Sequence, residues 1–331
     1  MHVAERIVRR VDRSHQRRPW IAFPYAVVKK FGDDQAGHLA ALISYYGFFS
    51  LFPLMLVLVT VLGMLLEGNS ELQESIQRSA LANFPVIGDQ ISSNVHSLRG
   101  SGLALAIGIV LALWAGLGVI KAMQTAMNTV WNVPFRHRPN FVKTLLRAVI
   151  MLAVLGVITV ASAVAGSVGA GNDNPVLSAA WVVVSLLLNL VLFMLAFRIL
   201  TTADVSWSDV WPGALIASIA WTALQAFGGY LVRNQLEGAT ATYGTFATVI
   251  GLLAWIFFGA QVTLLAAEVN VVRKRHLWPR SIVQPPLTEA DARALTQYAQ
   301  QEQRRPEEEV SVRIDDRALE SRSPDEAEPS S

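Results

Sequence analysis

The sequence predicts an all-α, polytopic membrane protein in which six transmembrane helices form one bundle. Of its 331 residues, 53% are hydrophobic and 16% are charged, whereas a soluble domain averages about 25% charged residues. The charges are concentrated in residues 1–37 and 268–331. Between them lie six long stretches without Asp, Glu, Lys or Arg. Each has about the 20 residues that a helix needs to cross a hydrocarbon core of about 30 Å.

The six stretches predict six separate helices. The strands of a membrane β-barrel are about 10 residues long and alternate apolar and polar residues, which these stretches do not. Turn residues around Asp173 separate the third helix from the fourth as a hairpin. The Trp211-Pro212-Gly213 sequence favours a helix start, and the second helix is expected to continue to about Trp131. The predicted spans lie near residues 39–66, 100–122, 148–171, 175–197, 210–232 and 245–268.

The distribution of Lys and Arg predicts the orientation of these helices. The chain has 27 such residues. Of these, 24 fall in the two terminal segments and in the connections between spans 2 and 3 and between spans 4 and 5, and 3 fall in the other three loops. Basic residues are enriched on the cytoplasmic side of membrane proteins. Both termini are therefore predicted to be cytoplasmic.

The segments outside the bundle differ from it in composition. Residues 1–20 form a basic cytoplasmic tail without the apolar core of a signal peptide, and 21–275 form the membrane domain. Residues 21–32 fit either an interfacial helix or an ordinary cytosolic lead-in. Residues 276–331 are predicted to be a disordered cytoplasmic tail because they contain few apolar residues, with a short helix at 289–304. The amphipathic loop 69–97 is expected to cap the outer face.

Polar groups within the spans are the candidate functional residues, because such groups tend to face the bundle interior or a wet cavity. The alternative is that they form helix–helix hydrogen bonds or, for the two charged residues, snorkel to the interface. Lys121 and Glu268 each end an uncharged stretch at the inner leaflet and are predicted to face each other. The candidate polar cavity comprises Tyr46, Ser50, Lys121, Asn128, Asn189, Gln225, Gln261 and Glu268.

No motif for catalysis, metal binding or cofactor binding occurs in the sequence. The chain has no cysteine and six histidines, none of which pair at metal-ligand spacing. There is no phosphate-binding G-x-x-x-x-G-K-[ST] loop and no G-x-S-x-G nucleophile elbow. The acidic pairs Asp33-Asp34 and Asp315-Asp316 are expected to be solvated. We therefore predict no enzyme, no metal and no cofactor.

Several short motifs resemble the YihY/BrkB family of membrane proteins. They are AALISYY at 40–46, NTVWNV at 128–133, PGAL at 212–215, YGTF at 243–246 and AEVN at 267–270. The resemblance extends over about residues 20–275 and implies a multi-pass protein of the bacterial inner membrane. Members of this family were once labelled ribonuclease BN, a label regarded as mistaken. The histidine motif with which that nuclease binds metal is absent here.

These observations favour one function over two alternatives. The leading hypothesis is a transporter or exporter of an amphipathic or envelope-related solute. The alternatives are a scaffolding protein in envelope assembly and a membrane-embedded enzyme. A continuous wet cavity bordered by Lys121, Gln261 and Glu268 would favour transport. The predicted partners are the lipid bilayer and an amphipathic small molecule or lipid; no nucleic-acid partner is predicted, and a homo-oligomer is compatible with the sequence.

Overall fold

The structure, a computed structural model, describes residues 3–65, 102–170, 174–231 and 245–315, and over these ranges every regular element is helical. The all-α prediction is confirmed for this part of the chain. The predicted hairpin turn at 171–173, the loop 69–97 and the terminal residues 316–331 lie outside it. The helices are α1 (Val3–Gln16), α2 (Pro19–Asp33), α3 (Ala36–Leu65), α4 (Gly102–Val130), α5 (Phe141–Ala170), α6 (Pro175–Leu200), α7 (Trp207–Leu231), α8 (Thr245–Lys274) and α9 (Glu289–Gln301).

Helices α3 to α8 coincide with the six predicted spans and are 25 to 30 residues long. Helix α4 runs to Val130, as expected. Helix α7 begins earlier than predicted because Ser206 and Asp209 cap its first turn: the Ser206 backbone N–H donates to Asp209 Oδ2 over 2.8 Å. Among the described residues, α5, α6 and α8 contain segments long and apolar enough to cross a membrane.

The six long helices form a closed ring. Each long helix packs on the next one along the chain. Helix α8 closes the ring by packing on both α7 and α3. Helix α8 also contacts α2 and α4, so it lies at the centre of the helix contacts. It approaches α7 closely, since a Cβ atom at Gly213 would lie 2.2 Å from the Ala266 carbonyl oxygen. The Gly213 N–H donates to Asn270 Oδ1 over 2.7 Å, which joins two of the family-like motifs.

Helices α4 and α8 end side by side in the same kind of cap. Asn132 and His276 follow them with φ values of 47° and 52°, the left-handed conformation typical of a helix C-terminus. The Val133 N–H then donates back to the Asn128 carbonyl over 2.8 Å. These caps turn the chain sharply at one end of the bundle, where the α4–α5 and α6–α7 connections and the described parts of both terminal segments collect.

The prediction of a disordered tail from residue 276 is wrong for the part that the structure describes. Helix α9 has a capping box between Thr288 and Asp291 and buries Ala290, Asp291 and Ala294. The composition rule failed because it counts apolar residues, whereas this segment is held by a buried carboxylate. The short helix expected at 289–304 is confirmed as Glu289–Gln301.

The N-terminal segment is also folded. Helix α1 packs on α2, and α2 packs on α8. Ala22, Ala26 and Lys30, spaced four residues apart on one face of α2, are completely buried. Trp20 on the same helix is 73% exposed. Residues 21–32 are therefore helical; whether they lie at the membrane interface or form an ordinary cytosolic lead-in stays open.

Candidate functional site

Three charged side chains meet inside the bundle at the end where the connections collect. Lys30 Nζ lies 2.5 Å from Asp34 Oδ2 and 3.2 Å from Glu268 Oε2. Their side chains are 0%, 2% and 0% exposed, so water does not compensate these charges. We call Lys30, Asp34 and Glu268 the inner polar cluster.

Three elements place these side chains together. Lys30 and Asp34 are one helical turn apart, with Asp34 as the C-cap residue of α2, and Glu268 lies in the last two turns of α8. The Lys30 ammonium also donates to the Val130 carbonyl oxygen over 2.8 Å. Carbonyls at a helix C-terminus lack partners within the helix and carry partial negative charge. Lys30 therefore joins α2, α4 and α8 through three oxygen atoms.

The inner polar cluster contains more acid than base. Lys30 neutralises one carboxylate, whereas Asp34 and Glu268 supply two. Burial raises the pKa of Asp34 above its usual range, and the charge of Lys30 opposes this only in part. A buried charge without compensation is costly, so holding one proton on the two carboxyl groups balances the cluster.

Of the eight candidate cavity residues, the structure brings only Glu268 and Asn128 to this end of the bundle. Asn128 is buried, and its Oδ1 accepts from the Thr202 backbone N–H and hydroxyl, each over 2.8 Å, which fixes the α6–α7 connection. The other six are spread along the helices. Ser50 is buried and donates to Gly47 O in its own helix; Tyr46 and Lys121 are exposed; Asn189, Gln225 and Gln261 are half-buried.

The predicted pairing of Lys121 with Glu268 is wrong. Lys121 is exposed on the side of α4, whereas Glu268 is fully buried and pairs with Lys30. Both residues do end uncharged stretches, but that criterion gives depth along a helix and not the face on which a side chain lies. The rotation of α4 turns Lys121 away from the interior.

Sequence reasoning missed the other two members of the cluster. Asp34 was expected to be solvated, and the structure corrects this: its side chain is 2% exposed. Asp33, its neighbour, is 33% exposed and pairs with Arg280. A signal for the cluster was present in the opposite charges of Lys30 and Asp34 at i and i+4, on the α2 face that also carries Ala22 and Ala26.

The C-terminal segment covers the inner polar cluster. The ring of Tyr298 in α9 lies with its centroid 5.7 Å from Lys30 Nζ. Beside it, Arg275 donates to the Trp131 carbonyl and to Gln297 Oε1 of α9. The cluster is therefore closed on this side by α9.

Asp291 fastens this cover to α2. Its carboxylate accepts from Arg280 Nε over 2.6 Å and from the Ser281 backbone N–H over 2.9 Å, and it lies 3.2 Å from Lys29 Nζ. Burial by itself raises the pKa of Asp291, but hydrogen bonds from Ser281, Arg280 and Thr288 outweigh burial and lower that pKa well below its usual range. Asp12 of α1 accepts from the Ile282 N–H over 3.0 Å. The buried carboxylates of Asp12 and Asp291 thus link α1 and α9 to the segment that follows α8.

Comparison with known proteins identifies the family. The family model described as Virulence factor BrkB matches residues 27–286. The Bacillus subtilis ribonuclease-like protein YfkH is 25% identical over 72% of this chain and 91% of its own length. A UPF0761 membrane protein of Legionella pneumophila is 26% identical over 76% of this chain and 61% of its own length. Escherichia coli inner membrane protein YhjD is 22% identical over 76% of this chain and 81% of its own length.

No solved structure matches the chain. The chain spans less than two thirds of the Legionella relative, so that protein has additional sequence. The family match includes every member of the inner polar cluster and all six long helices. The protein is a membrane protein of the Virulence factor BrkB family, as its sequence motifs predicted.

Proposed function

We propose that the protein spans the bacterial inner membrane six times with both termini in the cytoplasm, and that it moves an amphipathic, envelope-related solute across this membrane. The inner polar cluster is the site whose charge state is linked to transport. Charged residues within membrane domains are rare, usually paired, and characteristic of ion and substrate pathways. The buried excess of carboxyl groups over Lys30 is the observation that carries the proposal.

The arrangement of basic residues supports the orientation. Arg147 at the start of α5 donates to the Thr201 carbonyl after α6 over 3.3 Å. Lys274 at the end of α8 pairs with Asp209 at the start of α7 over 2.6 Å. The helix ends that carry Lys and Arg therefore lie together at one end of the bundle. Basic residues favour the cytoplasmic side.

Energetics supports a functional role for the cluster. Replacing a buried ion pair by well-packed apolar residues is often neutral or stabilising, so stability alone does not account for these charges. Three cavities lined by described residues, of about 430, 300 and 290 Å³, lie at the same end of the molecule. Lys121, Gln261 and Glu268 line none of these three. The transport proposal therefore rests on the cluster and not on an open pathway.

The test is lipid analysis of a deletion strain carrying either the wild-type gene, Glu268→Gln or Glu289→Gln at matched protein levels. Glu289 is a surface residue whose side chain is 89% exposed, so its substitution is the matched control. We expect the wild type and Glu289→Gln to restore the envelope lipid profile, and Glu268→Gln to fail although it is inserted normally. Full restoration by Glu268→Gln would exclude the cluster from transport.

Scaffolding in envelope assembly is the second candidate, and the folded cytoplasmic layer favours it. Helices α1 and α9 and the segment between α8 and α9 form a surface joined by Asp12 and Asp291. A scaffold would keep its partners in the Glu268→Gln strain and lose them when α9 is undocked. Cross-linking of partner proteins in cells that carry Glu268→Gln or Asp291→Asn, the change expected to undock α9, separates the two functions.

We also propose that the protein is not an enzyme. One relative carries a ribonuclease-like name. Within the described ranges, no group of three His, Asp or Glu residues could hold a metal ion. The purified protein is expected to leave single-stranded RNA intact in the presence of Mg²⁺ or Zn²⁺. Metal-dependent cleavage of the RNA that stays with the protein through successive purification steps would contradict this.

A further inference from the structure

A cavity of about 290 Å³ opens at the surface between the start of α7 and the end of α8. We call it the α7–α8 pocket. It lies at the end of the bundle where the basic residues collect, and no member of the inner polar cluster lines it. Ser208, Arg273 and His276 in its wall are exposed, so the pocket can be reached from outside. Its lining residues are Ser208, Asp209, Asn270, Arg273, Lys274 and His276.

Arg273 is the cation of this pocket that is not paired with an anion among the described residues. Its Nη1 donates to the Ser208 carbonyl over 3.4 Å, and its Cζ lies 5.9 Å from the centroid of the Trp211 ring. The exposed guanidinium thus extends from α8 across to α7, where both of these partners are uncharged. Lys274 differs, because its ammonium pairs with Asp209 over 2.6 Å. Asp209 is the one carboxylate among the six lining residues, so the pocket keeps the positive charge of Arg273.

The surface beside the α7–α8 pocket is aromatic and apolar. Trp207 and Trp211, one turn apart on α7, are each 46% exposed. Arg198 at the end of α6 lies over Trp207, with its Cζ 4.3 Å from the ring centroid. Further along α7, Ile216 and Ile219 are exposed. Tryptophan and basic residues next to aliphatic ones are typical of the boundary between water and hydrocarbon, so the pocket opens at the level of the lipid head groups.

We propose that the α7–α8 pocket binds the phosphate of an anionic inner-leaflet lipid, with phosphate oxygens on the Arg273 guanidinium and an acyl chain along Trp211. Arginine matches the geometry of phosphate oxygens, and basic pockets between transmembrane helices on the cytoplasmic side bind the head groups of anionic lipids. Because Arg273 belongs to α8 and Trp211 to α7, the bound lipid stabilises the packing of these two helices. The choice of the inner leaflet rests on the proposed orientation, whereas binding at the pocket depends neither on orientation nor on transport.

The experiment measures thermal unfolding of the full-length protein in dodecyl maltoside micelles, followed by tryptophan fluorescence, as the mole fraction of dioleoyl phosphatidylglycerol is raised. Dioleoyl phosphatidylcholine and inorganic phosphate are the comparison probes. Three variants are compared with the wild type. Arg273→Gln removes the guanidinium, and Ser208→Asp places a carboxylate beside it at an exposed position. Arg136→Gln is the matched control, because it removes an exposed arginine of the α4–α5 connection that does not line the pocket.

Phosphatidylglycerol should stabilise the wild type at a lower mole fraction than phosphatidylcholine, since the pocket carries a positive charge. We expect its half-saturating mole fraction to rise about tenfold in Arg273→Gln and in Ser208→Asp, and to stay unchanged in Arg136→Gln, because hydrogen bonds to charged groups are the strong ones.

Three results would overturn the proposal. If Arg273→Gln and Arg136→Gln respond alike, the lipid senses only the general charge of this end of the bundle. If phosphatidylcholine stabilises the wild type as well as phosphatidylglycerol does, the pocket does not select an anionic lipid. If inorganic phosphate alone reproduces the pattern, the ligand is a soluble anion and not a lipid. Ser208→Asp keeps the test valid if Arg273→Gln does not fold, and none of these readouts depends on transport activity.

Discussion

Lys30 is the residue on which the inner polar cluster depends, because it is the single cation between two buried carboxylates. Replacing it by methionine leaves both carboxyl groups without a counter-charge, which costs about 3–5 kcal/mol. Glu268→Gln leaves Lys30 paired with Asp34 and is expected to cost less than half as much. The free energy of unfolding in mixed micelles measures both variants.

The control for this comparison is Lys121→Met, an equivalent loss of charge at an exposed position. A surface substitution changes the free energy of unfolding by less than about 0.5 kcal/mol. Equal costs for Lys30→Met and Lys121→Met would show that Lys30 is hydrated and that the cluster is not buried in the folded protein.

Gly213 determines how closely α7 approaches α8. In Gly213→Ala the new Cβ would lie 2.2 Å from the Ala266 carbonyl and 2.5 Å from Asn270 Nδ2, so the helices must separate. We expect a loss of about 3 kcal/mol, the upper end of the usual overpacking range. Gly156→Ala on α5 is the control: no atom lies within 4 Å of its Cβ, and alanine favours the helix by about 1 kcal/mol. Similar melting temperatures for the two variants would contradict the packing argument.

At the residue scale, sequence could locate a charge but not its partner. Glu268 stood out because it ends a long uncharged stretch. Lys30 did not, because more than two hundred residues separate it from Glu268 and it lies within a basic segment. Gly213 and Asn270 were both marked by the family resemblance. That they bond to each other follows from the crossing of α7 and α8, which no local pattern encodes.

The docking of α9 depends on Asp291 in a way that its neighbour Glu289 does not share. Asp291 accepts from groups of four residues, whereas Glu289 forms one surface pair with Arg293. In Asp291→Asn, tryptic cleavage after the buried Arg280 should accelerate at least tenfold, because α9 detaches. Glu289→Gln, in the same helical turn, should be cut at the wild-type rate. Equal cleavage of both variants would mean that apolar contacts hold α9.

The pH dependence of this docking follows from the lowered pKa of Asp291. A carboxyl group with a lower pKa in the folded state stabilises that state above its unfolded pKa, and the contribution disappears as pH falls through the lowered value. Protection of Arg280 from trypsin-like proteases should therefore be constant from about pH 5 to 8. A loss of protection near pH 6 would assign the docking to a histidine instead.

At the scale of elements, hydrophobic length predicted the six long helices well and their ends less well. The predicted sixth span ends at Glu268, yet α8 continues to Lys274. Helix α4 continues beyond its uncharged stretch to Val130, as expected. The last turns of α8 are charged, but they are held by contacts with other elements, such as the pairing of Lys274 with Asp209. The tail was misjudged for a related reason: a segment with few apolar residues still folds when an existing surface supplies its hydrogen-bond donors.

At the scale of the whole molecule, the proposed orientation can be tested by labelling, since the chain has no cysteine of its own. Asn174→Cys lies at the start of α6, at the end opposite the basic one, and Arg305→Cys follows α9. In spheroplasts an impermeant maleimide should label residue 174 and should reach residue 305 only after lysis. Loss of the Asn174 helix cap costs about 1 kcal/mol, which does not alter topology. The reverse labelling pattern would invert the proposed arrangement.

The central position of α8 has a consequence for biogenesis. It is the last of the long helices to leave the ribosome, yet α2, α3, α4 and α7 all pack on it. Until it arrives, Asp34 has Lys30 but the ring stays open, and Gly213 faces no neighbour. Translation at about 5–20 residues per second makes the interval between the synthesis of Asp34 and that of Lys274, the end of α8, on the order of ten seconds or longer. A chain truncated before Thr245 should therefore be degraded rapidly by membrane proteases, and co-expression of α8 as a separate segment should protect it.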